Sequence, residues 1–269
     1  MDFVGTFRAI AAAAIAFVPP AIAQDLLKDS PASDWRELDP ENTLYLELPA
    51  GRVVIELAPA YAPANVAAIR KLLRQRYFDG SVVLRVQDNY VVQWARPEDD
   101  PRAKAMAAVK VKPEFSRPVD PGLEFTPLPY PDTYAPEVGF SQGFAAARDA
   151  KRGETWLVHC YGSVGVGRDD DADSGNGSEL YAVIGQSPRG PAPMGFYEKP
   201  SQRIPIASAR LAADVPEAGR LRLEALRTDS ATFKAYIASR ATRKESWFKD
   251  PIGRIGVCNM PLPVRVKGS

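Results

Sequence analysis

The sequence has few of the residues on which metal sites and nucleophilic catalysis depend. It contains one histidine, His159, so a site with two histidine ligands is excluded and a hydrolase triad would have to use that side chain. A Gly-x-Ser-x-Gly nucleophile motif and a glycine-rich phosphate-binding motif are both missing. Because His159 lies in a strand-like run beside Cys160, a packed structural histidine is the simplest interpretation.

The sequence also lacks an excess of charge of either sign. The 269 residues include 34 Lys and Arg against 33 Asp and Glu, which gives a formal net charge of +1. Such a balance predicts no nucleic-acid partner and no strong electrostatic attraction to membranes. Hydrophobic residues make up 45% and charged residues 25% of the sequence, which is typical of a globular protein.

One apolar run stands out, near the N-terminus, and it is too short to cross a bilayer. Residues 1–24 contain one basic residue, Arg8, then an apolar run, and end in the small-residue pattern "AIA". This predicts a signal peptide over residues 1–23, with an uncleaved anchor as the alternative. We expect an exported monomer without membrane attachment, in a bacterial periplasm or, alternatively, in a eukaryotic secretory route.

Cysteine is limited to two residues, Cys160 and Cys258, which lie 98 positions apart. In an oxidising compartment two such residues can form a disulfide. A bond closing a loop of that length would stabilise the fold by roughly 4–5 kcal/mol. The alternative is two buried free thiols, since the sequence does not show the geometry.

The acidic stretch "DDDADSGNGS", residues 169–178, is a candidate calcium loop. With Asp169 as the first ligand, Ser174 takes the place of the required glycine and Leu180 the place of the bidentate glutamate. We therefore predict a solvated turn, and neither a metal nor a cofactor for this chain.

The first half of the chain alternates strand and helix patterns. Residues 24–41 are polar, which predicts a surface leader. "TLYLELPAGRVVIELAP", residues 43–59, predicts two strands joined at "PAG". "APANVAAIRKLLRQRYFDG", residues 62–80, predicts a helix, with a proline in its first turn, apolar residues at helical spacing and a glycine beyond its end.

The second half contains an insertion and further strands. Nine prolines in residues 97–136 predict little regular structure there, and we assign residues 97–150 to an insertion. Strand-like stretches follow at residues 154–168, 179–185 and 203–212. A second helix is predicted from Asp229 or Ser230 to about Trp247. Many short strands with two clear helices indicate an all-β barrel that carries helices.

The stretch "GSVVLRVQDNYVVQWA", residues 80–95, sets a long polar side chain into each of two apolar strands. Strict alternation places Arg85 on the same face as Val83 and Gln87, and places Gln93 on the same face as Val91. An amphipathic hairpin with Arg85 and Gln93 in solvent is one interpretation. The order of the surrounding elements favours a second interpretation, which rests on a resemblance to a known family.

Residues 51–95 resemble the first half of a cyclophilin. That family has a Gly-x-Ile-x-Ile-x-Leu strand, a Pro-x-x-Val helix ending near Tyr-Tyr-Asp-Gly, a Phe-His-Arg strand and a Phe-Met-x-Gln-Gly-Gly segment. Here Arg85 stands at the catalytic arginine and Gln93 at the glutamine. Tyr90 and Val91 replace the phenylalanine and the methionine.

A second stretch, residues 162–185, resembles the family's Gly-Thr-x-x-Met-Ala … Ser-Gln-Phe-Phe-Ile segment. Gly167 falls at the alanine, Ser178 at the serine and Glu179 at the glutamine. Leu180 and Tyr181 fall at the two phenylalanines. The two stretches together cover about residues 42–95 and 155–186.

The resemblance implies a closed antiparallel β-barrel capped by two helices, over residues 42–212 with the insertion. Residues 213–269 lie beyond the family core, and we expect them to form a helical C-terminal extension packed on the barrel. The resemblance also implies cis-trans isomerisation of X-Pro bonds in polypeptides, without a cofactor. Catalysis would fall to Arg85, which stabilises the twisted amide, and to Gln93, which holds a substrate carbonyl. The substrate-binding residues would be Tyr90, Val91, Gly167, Leu180 and Tyr181.

The sequence departs from the family pattern in three places. The Phe-His-Arg strand reads Val83-Leu84-Arg85, and the Gln-Gly-Gly segment reads Gln93-Trp94-Ala95. The Leu-Asp … Phe-Gly-x-Val-x-x-Gly-Met segment, which supplies a strand and one wall of the proline pocket, is missing.

The missing segment predicts a rebuilt wall, for which the candidates are Met194, Phe196 and Tyr197. It also leaves two alternatives to an active isomerase. One is a catalytically weak or inactive module that binds proline-containing peptides as a chaperone does. The other is a truncated and unstable variant of an active relative.

Overall fold

The structure is a computed structural model that describes residues 26–185, 194–196, 203–243, 249–250 and 252–268, with residues 194–196 described by their backbone alone. The predicted signal peptide, residues 1–23, lies outside the described residues. Within them, no helix is long and apolar enough to cross a membrane.

The described elements are short strands, α-helices and short 3-10 helices. The numbered α-helices are α1 Pro63–Arg74, α2 Pro101–Met106 and α3 Ala231–Ala241, and residues 26–28 are also helical. The strands are β1 Trp35–Glu37, β2 Thr43–Leu48, β3 Gly51–Glu56, β4 Val82–Gln87, β5 Val91–Ala95, β6 Arg117–Pro118, β7 Thr126–Pro127, β8 Glu137–Ser141, β9 Phe144–Asp149, β10 Glu154–Leu157, β11 Val164–Val166, β12 Leu180–Val183, β13 Met194–Phe196, β14 Ile204–Pro205, β15 Ser208–Leu211, β16 Leu223–Leu226 and β17 Val264–Val266.

The strands that match the cyclophilin pattern form one continuous set of antiparallel pairings. A six-stranded sheet has the order β11-β12-β5-β4-β13, with β14 also paired to β4, and a three-stranded sheet has the order β15-β2-β3. Residues 204–211 join the two sheets, because Ile206 N–H donates to Ser81 O at 2.8 Å and Ala207 N–H donates to Glu47 O at 2.9 Å. The pairings therefore run from β3 through to β11, as expected for a mainly β fold of this class.

Helix α1 closes the core that these two sheets enclose. Its proline lies in the first turn, where a missing N–H costs nothing. Burying each large apolar side chain contributes roughly 1.5–3 kcal/mol. The helix buries Val66, Ile69, Leu72 and Leu73. We call this cluster, which also contains Leu44, Val83, Trp94, Leu180 and Leu211, the first core.

The insertion and the C-terminal extension build a second core together. The insertion contributes β6, β7, β8 and β9, which form the five-stranded sheet β6-β10-β9-β8-β7 together with β10, and the leader and extension contribute the sheet β1-β16-β17 and helix α3. Phe140 of β8 and Phe233 of α3 meet edge to face with ring centroids 5.0 Å apart. The second core consists mainly of Trp35, Val138, Phe140, Leu226, Phe233, Tyr236, Ile237 and Val257.

Two features differ from the expectations. The C-terminal helix was predicted to extend to about Trp247, but α3 ends at Ala241 and packs in the second core. Residues 97–136, where little regular structure was predicted, contain α2 and the two-residue strands β6 and β7, but the strands β8 and β9 that follow were not predicted. The hairpin of β8 and β9 escaped prediction because "FAAARD" is rich in alanine, which has a low strand propensity. Its Ala146 and Ala147 are fully buried, so tertiary packing selects the strand.

The disulfide stands where the chain passes from the second core to the first. Cys160 and Cys258 are bonded, so the alternative of two free thiols is wrong. Val158, just before the bond, packs in the second core. Val164, just after it, packs against the first core. The bond therefore ties the C-terminal extension to the chain at the boundary between the two cores.

Candidate active site

A β-bulge in β4 decides where Arg85 points. Val83 lies opposite Trp94 of β5, and Arg85 lies opposite Gln93, with a shift of register between Val83 and Arg85 at Leu84. Val83 and Trp94 are buried in the first core. Because the extra residue of a bulge interrupts the alternation, Arg85 and Gln93 face away from that core. The expectation that Arg85 shares a face with Val83 is therefore wrong.

The polar side chains on this outer face form a connected set of hydrogen bonds. Arg85 donates from Nη1 to Oε1 of Gln93 at 3.1 Å and from Nη2 to Oε1 of Gln87 at 2.6 Å. Gln93 in turn donates from Nε2 to Oε1 of Glu179. A cation on one side and a carboxylate on the other thus orient the Gln93 amide.

Tyr90 lies beside the guanidinium group of Arg85. The turn between β4 and β5 holds Asn89 at φ +54°, a conformation that asparagine tolerates well. Tyr90 N–H then donates to Gln87 O at 3.1 Å. The centroid of the Tyr90 ring lies 5.9 Å from the Arg85 guanidinium carbon, which is within cation–π range.

Tyr181 and Val91 complete the apolar part of the outer face. Tyr181 of β12 pairs directly with Gln93, and Val91 lies two positions before Gln93 on the same strand face. The Tyr181 ring lies over Gly165, where a Cβ would stand 2.4 Å from the ring. On another side the Tyr181 ring packs edge to face against the His159 ring, with the ring centroids 6.2 Å apart.

Leu180 does not belong to this face. It pairs with Trp94 and is 1% exposed in the first core. Because neighbouring residues of a strand point to opposite faces, Tyr181 and Leu180 cannot both contact a substrate. The assignment of Leu180 as a substrate-binding residue is therefore wrong. The burial of Trp94 in the same core also keeps its bulky side chain out of the site.

Gly167 and Glu179 fit each other closely. Gly167 N–H donates to Glu179 O at 2.8 Å. A Cβ at Gly167 would stand 2.6 Å from Oε1 of Glu179, so the glycine leaves space for the carboxylate. Burial raises the pKa of Glu179 above its usual value, although the hydrogen bond from Gln93 acts in the opposite direction.

Two members of this set, Gln87 and Glu179, were not among the predicted site residues. The sequence did contain a feature that could have predicted each of them. Glu179 falls at the family's glutamine, and Gln87 follows Arg85 at the strand period of two. Neither position revealed which partner it contacts.

Strand β13 lies beside the site. This strand pairs antiparallel with β4, with Phe196 opposite Arg85 and Met194 opposite Gln87. The backbone of two of the three proposed wall residues thus lies beside the site. Tyr197 lies outside the described residues.

A cavity of about 410 Å³ adjoins the site. Its lining includes Asn89, which precedes Tyr90, and His159, which contacts Tyr181. The disulfide and Tyr161 form further parts of its wall. Across the described ranges, no group of three His, Cys, Asp or Glu residues is arranged to hold a metal ion.

Comparison with known sequences identifies the family. The sequence model described as "Cyclophilin type peptidyl-prolyl cis-trans isomerase/CLD" matches residues 43–189, which is more than half of the chain. The chain therefore belongs to the cyclophilin-type peptidyl-prolyl cis-trans isomerase family. The resemblance inferred from Arg85, Gln93 and their neighbours is confirmed.

The particular relatives are bacterial. The chain is 35% identical over 92 residues to a probable peptidyl-prolyl cis-trans isomerase of Brucella suis biovar 1 (strain 1330). The aligned residues cover 34% of this chain and 47% of that protein. The Brucella abortus (strain 2308) protein of the same description is 34% identical over 92 residues. The chain thus spans about half the length of the curated relatives that it matches.

A solved structure shares the fold. The crystal structure of cyclophilin AquaCyp293 from Hirschia baltica matches with a TM-score of 0.68 and 24% identity, covering 91% of this chain and 98% of that chain. Coverage of that extent takes in most of the insertion and the C-terminal extension. The predicted fold class, mainly β and cyclophilin-like, is confirmed.

Proposed function

We propose that this chain is a peptidyl-prolyl cis-trans isomerase that acts on X-Pro bonds of polypeptides. The observation that carries the proposal is the outward-facing guanidinium of Arg85, held by Gln93 and Gln87 beside Tyr90. Membership of the cyclophilin family supports the same activity.

The chemistry requires a donor rather than a nucleophile. Rotation about a peptide bond faces ~18–20 kcal/mol because resonance gives the bond double-bond character. As the bond twists, the prolyl nitrogen becomes pyramidal and regains a lone pair. A guanidinium N–H aimed at that lone pair binds the twisted amide more strongly than the planar one, and this difference lowers the barrier. Arg85 supplies that donor.

The neighbouring side chains bind and orient the substrate. The Gln93 amide has two N–H donors, and Glu179 accepts from one of them. The other is available for a substrate carbonyl. Tyr90, Val91 and Tyr181 supply apolar surface for the proline ring. Gly167, without a side chain, lets the peptide backbone approach Glu179.

The experiment that tests this proposal measures cis-trans exchange of short X-Pro peptides by NMR, with the wild-type protein and Arg85→Ala. We expect a loss of about 10²–10³-fold in kcat/KM for the variant, because one preorganised donor is removed. Arg85→Lys should recover little of this, because an ammonium lacks the planar fork that spans Gln93 and Gln87. Arg152→Ala, at a 67% exposed position in the turn between β9 and β10, is the matched control.

A protein that melts cooperatively yet accelerates no peptide would instead be a proline-peptide-binding module. Acceleration that is equal in the wild type and in Arg85→Ala would exclude Arg85 as the donor.

The compartment and the assembly belong to the proposal as well. The N-terminal pattern of residues 1–23 supports export to a periplasm, where the substrates would be proteins that are folding after translocation. The disulfide fits an oxidising compartment. We propose that the mature protein acts there as a monomer without membrane attachment.

A further inference from the structure

Glu179 places a carboxylate beside Gln93 on the face that carries Arg85. It directly precedes β12, and its Oε1 accepts a hydrogen bond from Gln93 Nε2, on the side of Gln93 remote from Arg85. The missing side chain of Gly167 provides the space that the carboxylate occupies. A peptide carbonyl bound by Gln93 would therefore bring the neighbouring residue within a side chain's length of Glu179.

The surroundings of Glu179 add negative charge to that part of the face. Asp169 and Glu98 act on Glu179 as like charges, and Arg85 is the cation that opposes them. Two cations close to the acidic stretch of residues 169–178, Arg168 and Lys110, contact other partners. Arg168 donates to the backbone oxygen of Asp169 at 2.7 Å. Lys110 pairs with Asp173 at 3.1 Å.

We propose that Glu179 makes the enzyme prefer X-Pro segments that carry a lysine or an arginine next to the proline. The inference rests on the proposed isomerase function and names its substrate class. A half-buried carboxylate attracts a cation more strongly than a fully solvated one does, since less water screens the interaction. An acidic residue at the same substrate position is repelled, so the discrimination uses attraction and repulsion together.

A simpler role for Glu179 is to orient Gln93 and nothing else. Such a role would change the rate for every peptide by the same factor. The variant Glu179→Gln separates the two roles, because its side-chain oxygen still accepts the hydrogen bond while the charge is removed.

The experiment compares peptides that differ in one residue. Arginine, alanine or glutamate is placed before the proline in one series and after it in another, and kcat/KM is measured by NMR exchange at low salt. We expect the wild type to favour arginine over glutamate by about tenfold at one of the two positions. The ratio of kcat/KM for the arginine peptide to that for the glutamate peptide should fall close to one in Glu179→Gln. It should remain near tenfold in Glu217→Gln, a matched control at an exposed residue of a separate turn.

A second measurement needs no variant. Because burial raises the pKa of Glu179, acidification neutralises it earlier than a solvated glutamate, and arginine itself does not titrate. The preference for arginine should therefore weaken in the wild type as the pH falls through the raised pKa of Glu179. Asp169 and Glu98 are the other acids that act on Glu179, and Asp169→Asn should leave most of the preference intact.

The possible failures are distinguishable. Acceleration of all peptides with equal kcat/KM for arginine and glutamate at both positions would overturn this inference and leave the isomerase function standing. An unchanged preference in folded Glu179→Gln would overturn it as well. No acceleration of any peptide would overturn the isomerase function, and this inference with it.

Discussion

Arg85 and Gln93 face each other across the β4–β5 pair, and Nη1 of Arg85 donates to Oε1 of Gln93 at 3.1 Å. The contact exists because the bulge at Leu84 turns Arg85 away from the first core. It leaves the Gln93 amide with its oxygen toward Arg85 and its nitrogen toward Glu179. This relationship explains why two apolar strands each carry one long polar side chain.

The first prediction concerns Gln93. Gln93→Leu should lower kcat/KM by about tenfold to a hundredfold, because Arg85 loses the partner that orients it and the substrate loses a donor. Gln93→Glu should lower it as well, since two adjacent carboxyl groups would disturb the hydrogen bond to Glu179. NMR exchange measures both rates. A wild-type rate in a folded Gln93→Leu protein would contradict the assignment.

The second prediction concerns the close approach of Gly167 to Glu179. Gly167→Ala places a Cβ 2.6 Å from Oε1 of Glu179, and we expect a loss of about 1–3 kcal/mol in the free energy of unfolding. Adding Glu179→Ala removes the atom that the new methyl group meets. Urea unfolding of the two single variants and the double variant should therefore show a cost for Gly167→Ala that is much smaller in the double variant. Strictly additive losses would show that the strain has another origin.

The third prediction is a pH dependence of stability. Because the pKa of Glu179 is raised in the folded state, the folded protein binds this proton more tightly than the unfolded chain. Ionisation of Glu179 therefore destabilises the fold as the pH rises above the ordinary glutamate pKa of 4.5 and through the raised pKa. Glu179→Gln removes this effect, so its Tm should exceed the wild-type Tm more at pH 8 than at pH 5. Calorimetry at the two pH values measures the difference, and an advantage that is larger at pH 5 would contradict the prediction.

The fourth prediction concerns the disulfide. Cys160 and Cys258 close a loop with a sequence separation of 98, so reduction should cost roughly 4–5 kcal/mol by the chain-entropy estimate. A reductant should shift the urea midpoint of the wild type downward. Cys160→Ser combined with Cys258→Ser is the control, because it should show the lower midpoint without the reductant and no further shift with it.

The fifth prediction tests whether the second core supports the site. Phe233 is fully buried there and packs against Phe140, so Phe233→Ala should cost about 3–5 kcal/mol. If the two cores unfold as one unit, loss of activity and loss of β structure should coincide on heating. Loss of the second core with full activity retained would show that the first core folds and functions by itself.

Much of the fold was open to prediction because its signals are local. The proline of α1 and its apolar spacing predict a helix that begins at Pro63, as the structure shows, but the helix ends at Arg74 and not just before Gly80 as the sequence predicted. The hairpin of β2 and β3 follows from alternation around "PAG" in the same way. The second core was not predictable, because its alanine-rich strand and its two-residue strands are stabilised by contacts between the insertion and the C-terminal extension, which lie far apart in the chain.

The candidate site likewise has features that local sequence predicts and others that depend on contacts between distant segments. The sequence alone predicted Arg85, Gln93, Tyr90, Val91, Gly167 and Tyr181 as site residues, because residue type and order in the family pattern can be read without coordinates. It also identified both cysteines, the small net charge and the lack of a second histidine. These are properties of single residues and of short stretches.

Only the tertiary structure decided which of these side chains share a face. A one-residue bulge reverses the direction of every side chain beyond it, so the face of Arg85 depends on how β4 pairs with β5. The same pairing buries Leu180 and brings Glu179 to Gln93. Register and packing between distant segments decide such contacts, because they depend on which strands meet and not on the composition of either strand.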